Sequence, residues 1–265
     1  MREAAVLHMG LSKMGHWLDL NTDLQHWVQH KMDRRAQWGD RVYQVLPDAL
    51  PAAKEFAEMI AAHATTALDD TVLEGFAVQE RLWRASLAVP EDLVVMLPKD
   101  GAYHLMAASL CSPSHWRLEE KIGRAMREVH DPIPGIHEDL SDRIDRFFEH
   151  LKVDHPVERF NWSVQVGDAL HALPDHDSLA AQRGEADLFY RVERQTLVRL
   201  PETGAIGFTI RVYIDPIETL AQIDGALPAL LAAIDAASPE IAQYKGFHRI
   251  QPLLAPYRTD SSDRS

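Results

Sequence analysis

The chain has 265 residues, 46% of them hydrophobic and 25% charged, with 27 Lys+Arg against 40 Asp+Glu and a net charge of -13. Such a length can bury a full core and the composition is that of a globular protein, while the acidic balance argues against a nonspecific nucleic-acid binder, which needs a positive face to displace counterions. The single cysteine, Cys111, excludes an intramolecular disulfide framework, a CxxCH haem attachment and a thiolate-ligated iron-sulfur cluster within this chain.

The opening MREAAVLHMGLSKMGHW has no basic segment followed by an apolar run, so no signal peptide is expected. No stretch of about 18 apolar residues follows either, so no membrane span is expected and the expected compartment is the cytoplasm. Residues 1–90 read as a helical extension packed on the core. Trp17 to about Gln37 is one helical segment, and a second begins at Pro51, a residue suited to the first helical turn, with Phe56, Met59, Ile60 and His63 at helical spacing.

After Pro90 the pattern changes. Two apolar runs, Leu93 to Leu97 and Tyr103 to Ala108, flank Lys99-Asp100-Gly101, which predicts a hairpin. From Trp116 the period becomes helical, with Leu118, Ile122, Met126 and Val129 on one side, until Pro132 and Pro134 stop it. A further helix carries Leu140, Ile144, Phe147, Phe148 and Leu151 on one buried face. Three strands follow, Val157 to Val166, Leu188 to Leu200 and Ala205 to Ile214, the last two joined by the turn sequence Pro201-Glu-Thr-Gly204. An apolar helical segment lies near Leu220 to Ala237, and the final YRTDSSDRS reads as a disordered tail. The expected fold is α+β, a single structural domain with a core over 91–220, a C-terminal helical segment over 221–256 and a tail over 257–265. Two strands, then helices, then three antiparallel strands is the element order of a PAS domain.

Alternation along Val157 to Val166 puts Arg159, Asn161, Ser163 and Gln165 on one face, and along the next strand Arg191, Glu193 and Gln195 share a face opposite Arg194. Pairing of these strands gathers charge on one surface. Exposed polar alternation is the ordinary antiparallel pattern; however, helices and the N-terminal segments both need a sheet face, and a buried Arg or Glu must pair or bind a ligand. His130 ends a helical run before two prolines. It reads either as a favourable partner of the helix dipole or as an iron ligand: one imidazole is too little for zinc but is enough for haem, whose porphyrin supplies four equatorial nitrogens. Cys111 reads as a small core residue and Ser112 and Ser114 as helix caps. No GxSxG elbow, GxGxxG or GxxxxGK[ST] loop is present.

The segments CSPSHWRLEEKIG, VHDPIPG, ERFNWSV, RVERQTLVRLP and TGAIGFTIRVYI together resemble the alpha subunit of haem-dependent oxidative N-demethylase, from about Trp17 to about Leu220. The resemblance implies a PAS-like haem b fold and oxidation of a small alkylamine such as dimethylamine, with dioxygen, to the demethylated amine and formaldehyde. Electrons would come from a separate NADPH-dependent reductase carrying FMN and an iron-sulfur cluster. It places the axial iron ligand at His130, with His115 or His137 as rivals, and the catalytic polar surface at Arg159, as a donor to dioxygen, and Glu193, as the holder of the protonated amine. Arg191, Arg194 and Arg199 become candidates for pairing with haem propionates or with Glu193. The competing expectations are a noncatalytic PAS-type haem or gas sensor and a binding subunit without haem.

Overall fold

The computed structural model describes residues 10–11, 16–20, 22–64, 76–129, 138–176, 180 and 186–259. Its strands are β1 (Gly10–Leu11), β2 (Tyr43–Val45), β3 (Asp92–Lys99), β4 (Ala102–Ser109), β5 (Val157–Val166), β6 (Leu188–Arg199) and β7 (Ile206–Pro216). The described helices are α1 (Leu24–Trp38), α2 (Leu50–His63), α3 (Arg81–Ser86), α4 (Met126–Val129), α5 (Glu138–His150), α6 (Ala226–Asp235), α7 (Pro239–Tyr244) and α8 (Phe247–Thr259), with short 3-10 turns between them. The fold is therefore α+β, as the element order predicts. No helix among the described residues is long and apolar enough to cross a membrane.

The strands form one antiparallel sheet in the order β1-β5-β6-β7-β3-β4-β2. The β3–β4 hairpin turns on Asp100 and Gly101, whose φ values of 51° and 81° give the left-handed geometry that matches strand twist in a two-residue loop. The β6–β7 hairpin is closed by Glu55 of α2. Its carboxylate accepts the backbone N–H groups of Glu202 and Thr203 at 2.6 and 2.9 Å, and the Thr203 hydroxyl at 2.5 Å. Arg199, at the end of β6, donates to the carbonyls of Leu151, at 2.5 Å, and of Phe148, satisfying the C-terminal end of α5. It is thereby a cap of that helix, with a further bond to Gly204 O at 2.7 Å.

Both faces of the sheet are buried. On one, Val94, Met96, Leu105, Ala108, Val157, Leu197, Ile206, Ile210 and Val212 pack against Leu118, Met126, Phe148 and Leu151, with Val129, Ile144 and Phe147 at the margin. On the other, α2 and α3 bring Phe56, Ile60, Leu82 and Trp83 against Leu93, Val95, Ala107 and Val198. Farther along, α6 and α8 cover Val164, Val166 and Leu188 with Leu230, Ile234, Phe247 and Leu254. Gly207 of β7 lets α2 approach this closely: a Cβ there would lie 2.5 Å from the Phe56 ring, and that ring is fully buried. Gly207→Ala is expected to cost about 1–3 kcal/mol through overpacking, read as a lower urea midpoint, and Phe56→Leu in the same chain should recover part of it.

Three expectations differ from the structure. The run from Trp116 to Val129 is not one helix. A 3-10 turn covers Leu118–Glu120, Gly123 takes φ 79°, and α4 starts only at Met126. The reason is that β4 captures the segment between: Gly123 N–H donates to Leu105 O at 2.7 Å and Leu105 N–H to Arg124 O at 3.0 Å. The apolar residues still reach the core. At the other end α8 continues through Thr259, so Tyr257 and Arg258 are helical and bonded to Glu218 and Asp235; in the N-terminal segment, Trp17 precedes the helix, which begins after its Asp23 cap.

Candidate functional site

The β5–β6 register pairs Arg159 with Gln195, Asn161 with Glu193 and Ser163 with Arg191. These six side chains therefore share one face, the one that also carries Leu197, Ile210 and Val212, as alternation predicts. Across the next ladder Gln195 meets Ile210 and Glu193 meets Val212. A polar cluster thus sits beside an apolar floor of Leu197, Phe208, Ile210 and Val212, under α4 and α5.

Glu193 is the centre of the cluster and is 7% exposed. Its Oε1 accepts from Arg191 Nε at 3.3 Å, and its Oε2 accepts from Gln195 Nε2 at 3.0 Å and from Asn161 Nδ2 at 3.4 Å. Arg159 lies within the field of Glu193 and Tyr244, and burial pulls its guanidinium below the usual arginine range. Arg159 forms no hydrogen bond or ion pair with another described residue. A half-buried guanidinium without a fixed acceptor has its donors available to a ligand.

Arg191, fully buried, does different work. Besides Glu193 it donates to Ser112 O at 2.7 Å, Leu170 O at 3.0 Å and Gln165 Oε1 at 3.5 Å. Arg194 lies on the opposite face, where it pairs with Glu158 at 2.8 Å and donates to His16 O. The two arginines grouped as cofactor candidates in the sequence are therefore separated by the sheet. His115 takes φ 59° in a loop whose backbone donates to Ala172 O at 2.7 Å. His130 and His137 lie outside the described residues, His130 directly after Val129 of α4.

Arg191 also connects the cluster to a buried network that explains why the separated motifs belong together. Asp92, fully buried, accepts Cys111 N–H at 2.9 Å and Ser112 N–H at 2.7 Å. The Cys111 carbonyl lies 3.1 Å from His30 Nε2 and 3.0 Å from His171 Nδ1. The serine is thus held as an anchor rather than as a helix cap, and burial pushes the Cys111 thiol well up, as suits a core residue. Lys31 of α1 closes the network from below, donating to Ser86 O, Val89 O and Glu91 O.

Two groups here carry opposite pH dependences. Burial raises Glu91 to about 7, partly offset by the Asp19 N–H on its Oε1. Burial lowers His30 to about 4, partly offset by the Cys111 carbonyl. From about pH 4.3 to about 7 the native state keeps the Glu91 proton that the unfolded chain has lost, so stability falls as pH rises. From about 4 to 6.5 the unfolded chain binds a His30 proton that the native state refuses, so stability rises with pH. Glu91→Gln removes the first slope only; its unfolding free energy should climb by about 3 kcal/mol more than that of the parent between those limits, measured by urea titration at each pH. Parallel profiles would contradict this assignment.

The sequence reading does not find Tyr244 and Lys245, at the junction of α7 and α8. Lys245 Nζ donates to Asn161 Oδ1 at 3.2 Å and to Trp162 O at 2.6 Å. Its signal is weak: a lysine before glycine at a helix end reads as an ordinary C-terminal residue.

Among the described residues no group of three or more His, Cys, Asp or Glu side chains could hold a metal ion. A porphyrin makes a smaller demand, one axial imidazole, an apolar bed and cations for its acidic edge. Arg159, with no hydrogen bond to another described residue, is a cation of the kind that group needs, and the buried Leu197, Ile210 and Val212 supply apolar surroundings on the same face. The model of a family described as haem-dependent oxidative N-demethylase, alpha subunit-like, matches residues 10–255, and the chain belongs to that family.

Proposed function

We propose that the chain is a cytoplasmic haem b enzyme that oxidatively demethylates a small alkylamine of the dimethylamine kind, using dioxygen and electrons from a separate NADPH-dependent reductase with FMN and an iron-sulfur cluster. The observation that carries this reading is the placement of Arg159 and Glu193 on one face of the sheet in a chain of this family. The order of the five long strands, second-first-fifth-fourth-third along the sheet, supports a PAS-like core for residues 91–220, with the N-terminal 1–90 and C-terminal 221–256 segments packed around it.

His130, the residue after Val129 in the sequence, is the proposed ligand that would hold the haem iron. Haem, when bound, supplies the activation of dioxygen. Glu193 holds the ammonium of the substrate, and its three fixed donors keep the carboxylate from turning away. Arg159 directs its N–H donors to where negative charge develops, an interaction that gains strength where water is excluded. Arg191 acts as a positioning residue, since its other donors are committed to Ser112, Leu170 and Gln165. Arg194, on the far face, is paired with Glu158 and has no part in this arrangement.

The test is formaldehyde release from haem-loaded protein with dimethylamine and a surrogate reductant. Glu193→Gln, which keeps the shape and removes the charge, should raise KM about 10–100-fold, the worth of one charged hydrogen bond. An unchanged KM in that variant would remove Glu193 from amine binding, and wild-type protein that binds haem but releases no formaldehyde would favour a sensor.

A further inference from the structure

We propose that Lys245 is a positioning residue of the site: by occupying the amide oxygen of Asn161 it turns the amide N–H toward Glu193, so that the C-terminal helical segment helps to orient the amine-binding carboxylate. This rests on the reading of Glu193 given above.

The geometry is that of a two-ended relay. Among the described residues β1 pairs only with Val157 and Glu158 of β5, and no strand pairs with that edge farther along. Lys245 reaches it there, donating to Trp162 O at 2.6 Å and to Asn161 Oδ1 at 3.2 Å, with the Trp162 ring 5.1 Å from its ammonium. Its backbone is fixed as well. Lys245 N–H ends α7 on Ile241 O at 2.9 Å, Gly246 turns at φ 70°, and the following Phe247, buried, stacks on Trp162 at 5.7 Å.

An asparagine amide is nearly the same shape when rotated by half a turn, so sterics alone do not select its orientation. Here the ammonium does. With Oδ1 on Lys245, Nδ2 faces Glu193 Oε2 at 3.4 Å; rotated, the amide would set N–H against ammonium and oxygen against carboxylate, two repulsive contacts in place of two attractive ones. The charges facing Lys245 are Glu193, which favours its ammonium, and Arg159, which opposes it, with the Tyr244 hydroxyl adjoining both side chains of that pair. Burial lowers Lys245 to about 8, so the ammonium still predominates at neutral pH.

The experiment uses the full chain labelled with 15N-asparagine. The Asn161 side-chain amide signals, identified by their absence in Asn161→Leu, should exchange slowly with solvent. Lys245→Met should speed that exchange at least about tenfold and Lys245→Arg should restore most of the protection. In haem-loaded protein, Lys245→Met should weaken dimethylamine binding, followed by absorption, about tenfold with haem content unchanged, and Asn161→Leu added to it should weaken binding no further, as expected for two residues acting as one unit. Exchange unaffected by Lys245→Met overturns the proposal, as do additive effects on binding. If wild-type protein gives no amine response, the reading of Glu193 fails, and the amide exchange alone decides whether Lys245 orients Asn161.

Discussion

Lys31→Met is expected to destabilise the protein by about 3–5 kcal/mol, the range for breaking a buried ionic network by removing one member. Lys31 is fully buried, and its three N–H donors are all used, by Ser86 O at 2.7 Å, Val89 O at 2.9 Å and Glu91 O at 2.6 Å. Burial lowers its pKa, while Asp92 and Glu91 favour the charged form. Methionine fills the volume but leaves three carbonyls without a donor and Asp92 without its nearest cation, each an uncompensated desolvation cost. The loss should extend to the site, because Asp92 anchors Cys111 and Ser112, and the Ser112 carbonyl anchors Arg191 beside Glu193. Urea unfolding at pH 7 measures it; a change below about 1 kcal/mol would mean that the carbonyls find water or that the helix end relaxes.

The candidate site was legible in the sequence to the extent that period-two alternation is. Arg159 and Glu193 meet because both strands alternate strictly and their register, Asn161 opposite Glu193, keeps the polar residues in line. The hairpins follow from Asp100-Gly101 and Pro201 to Gly204 for similarly local reasons. Nonlocal capture was not legible. The Trp116 to Val129 segment has a helical spacing of apolar residues, yet β4 takes its backbone hydrogen bonds at Gly123 and Arg124, and no propensity encodes that competition. Lys31 looks like one more charge on a polar helix, since α1 has few apolar residues; only the carbonyls presented after α3 make it a core residue. Lys245 is the same kind of case, its role set by a strand edge far away in the chain.

His130→Ala carries the largest functional effect in this account. If the porphyrin were held through His130, as proposed, removing that imidazole would take away the protein's bond to the iron while leaving the apolar core of Leu197, Phe208, Ile210 and Val212 in place. His115 and His137 serve as internal controls. His115 is fixed by its backbone to the loop that carries Ala172, and His130 is the histidine followed by Pro132 and Pro134.

The absorption spectrum of protein purified from haem-supplemented cells tests the central claim most directly. The account predicts a Soret band near one haem per chain in the parent, retained in His115→Ala and His137→Ala and lost in His130→Ala with the fold intact by circular dichroism. A full Soret band in His130→Ala, or no band in the parent, would contradict it.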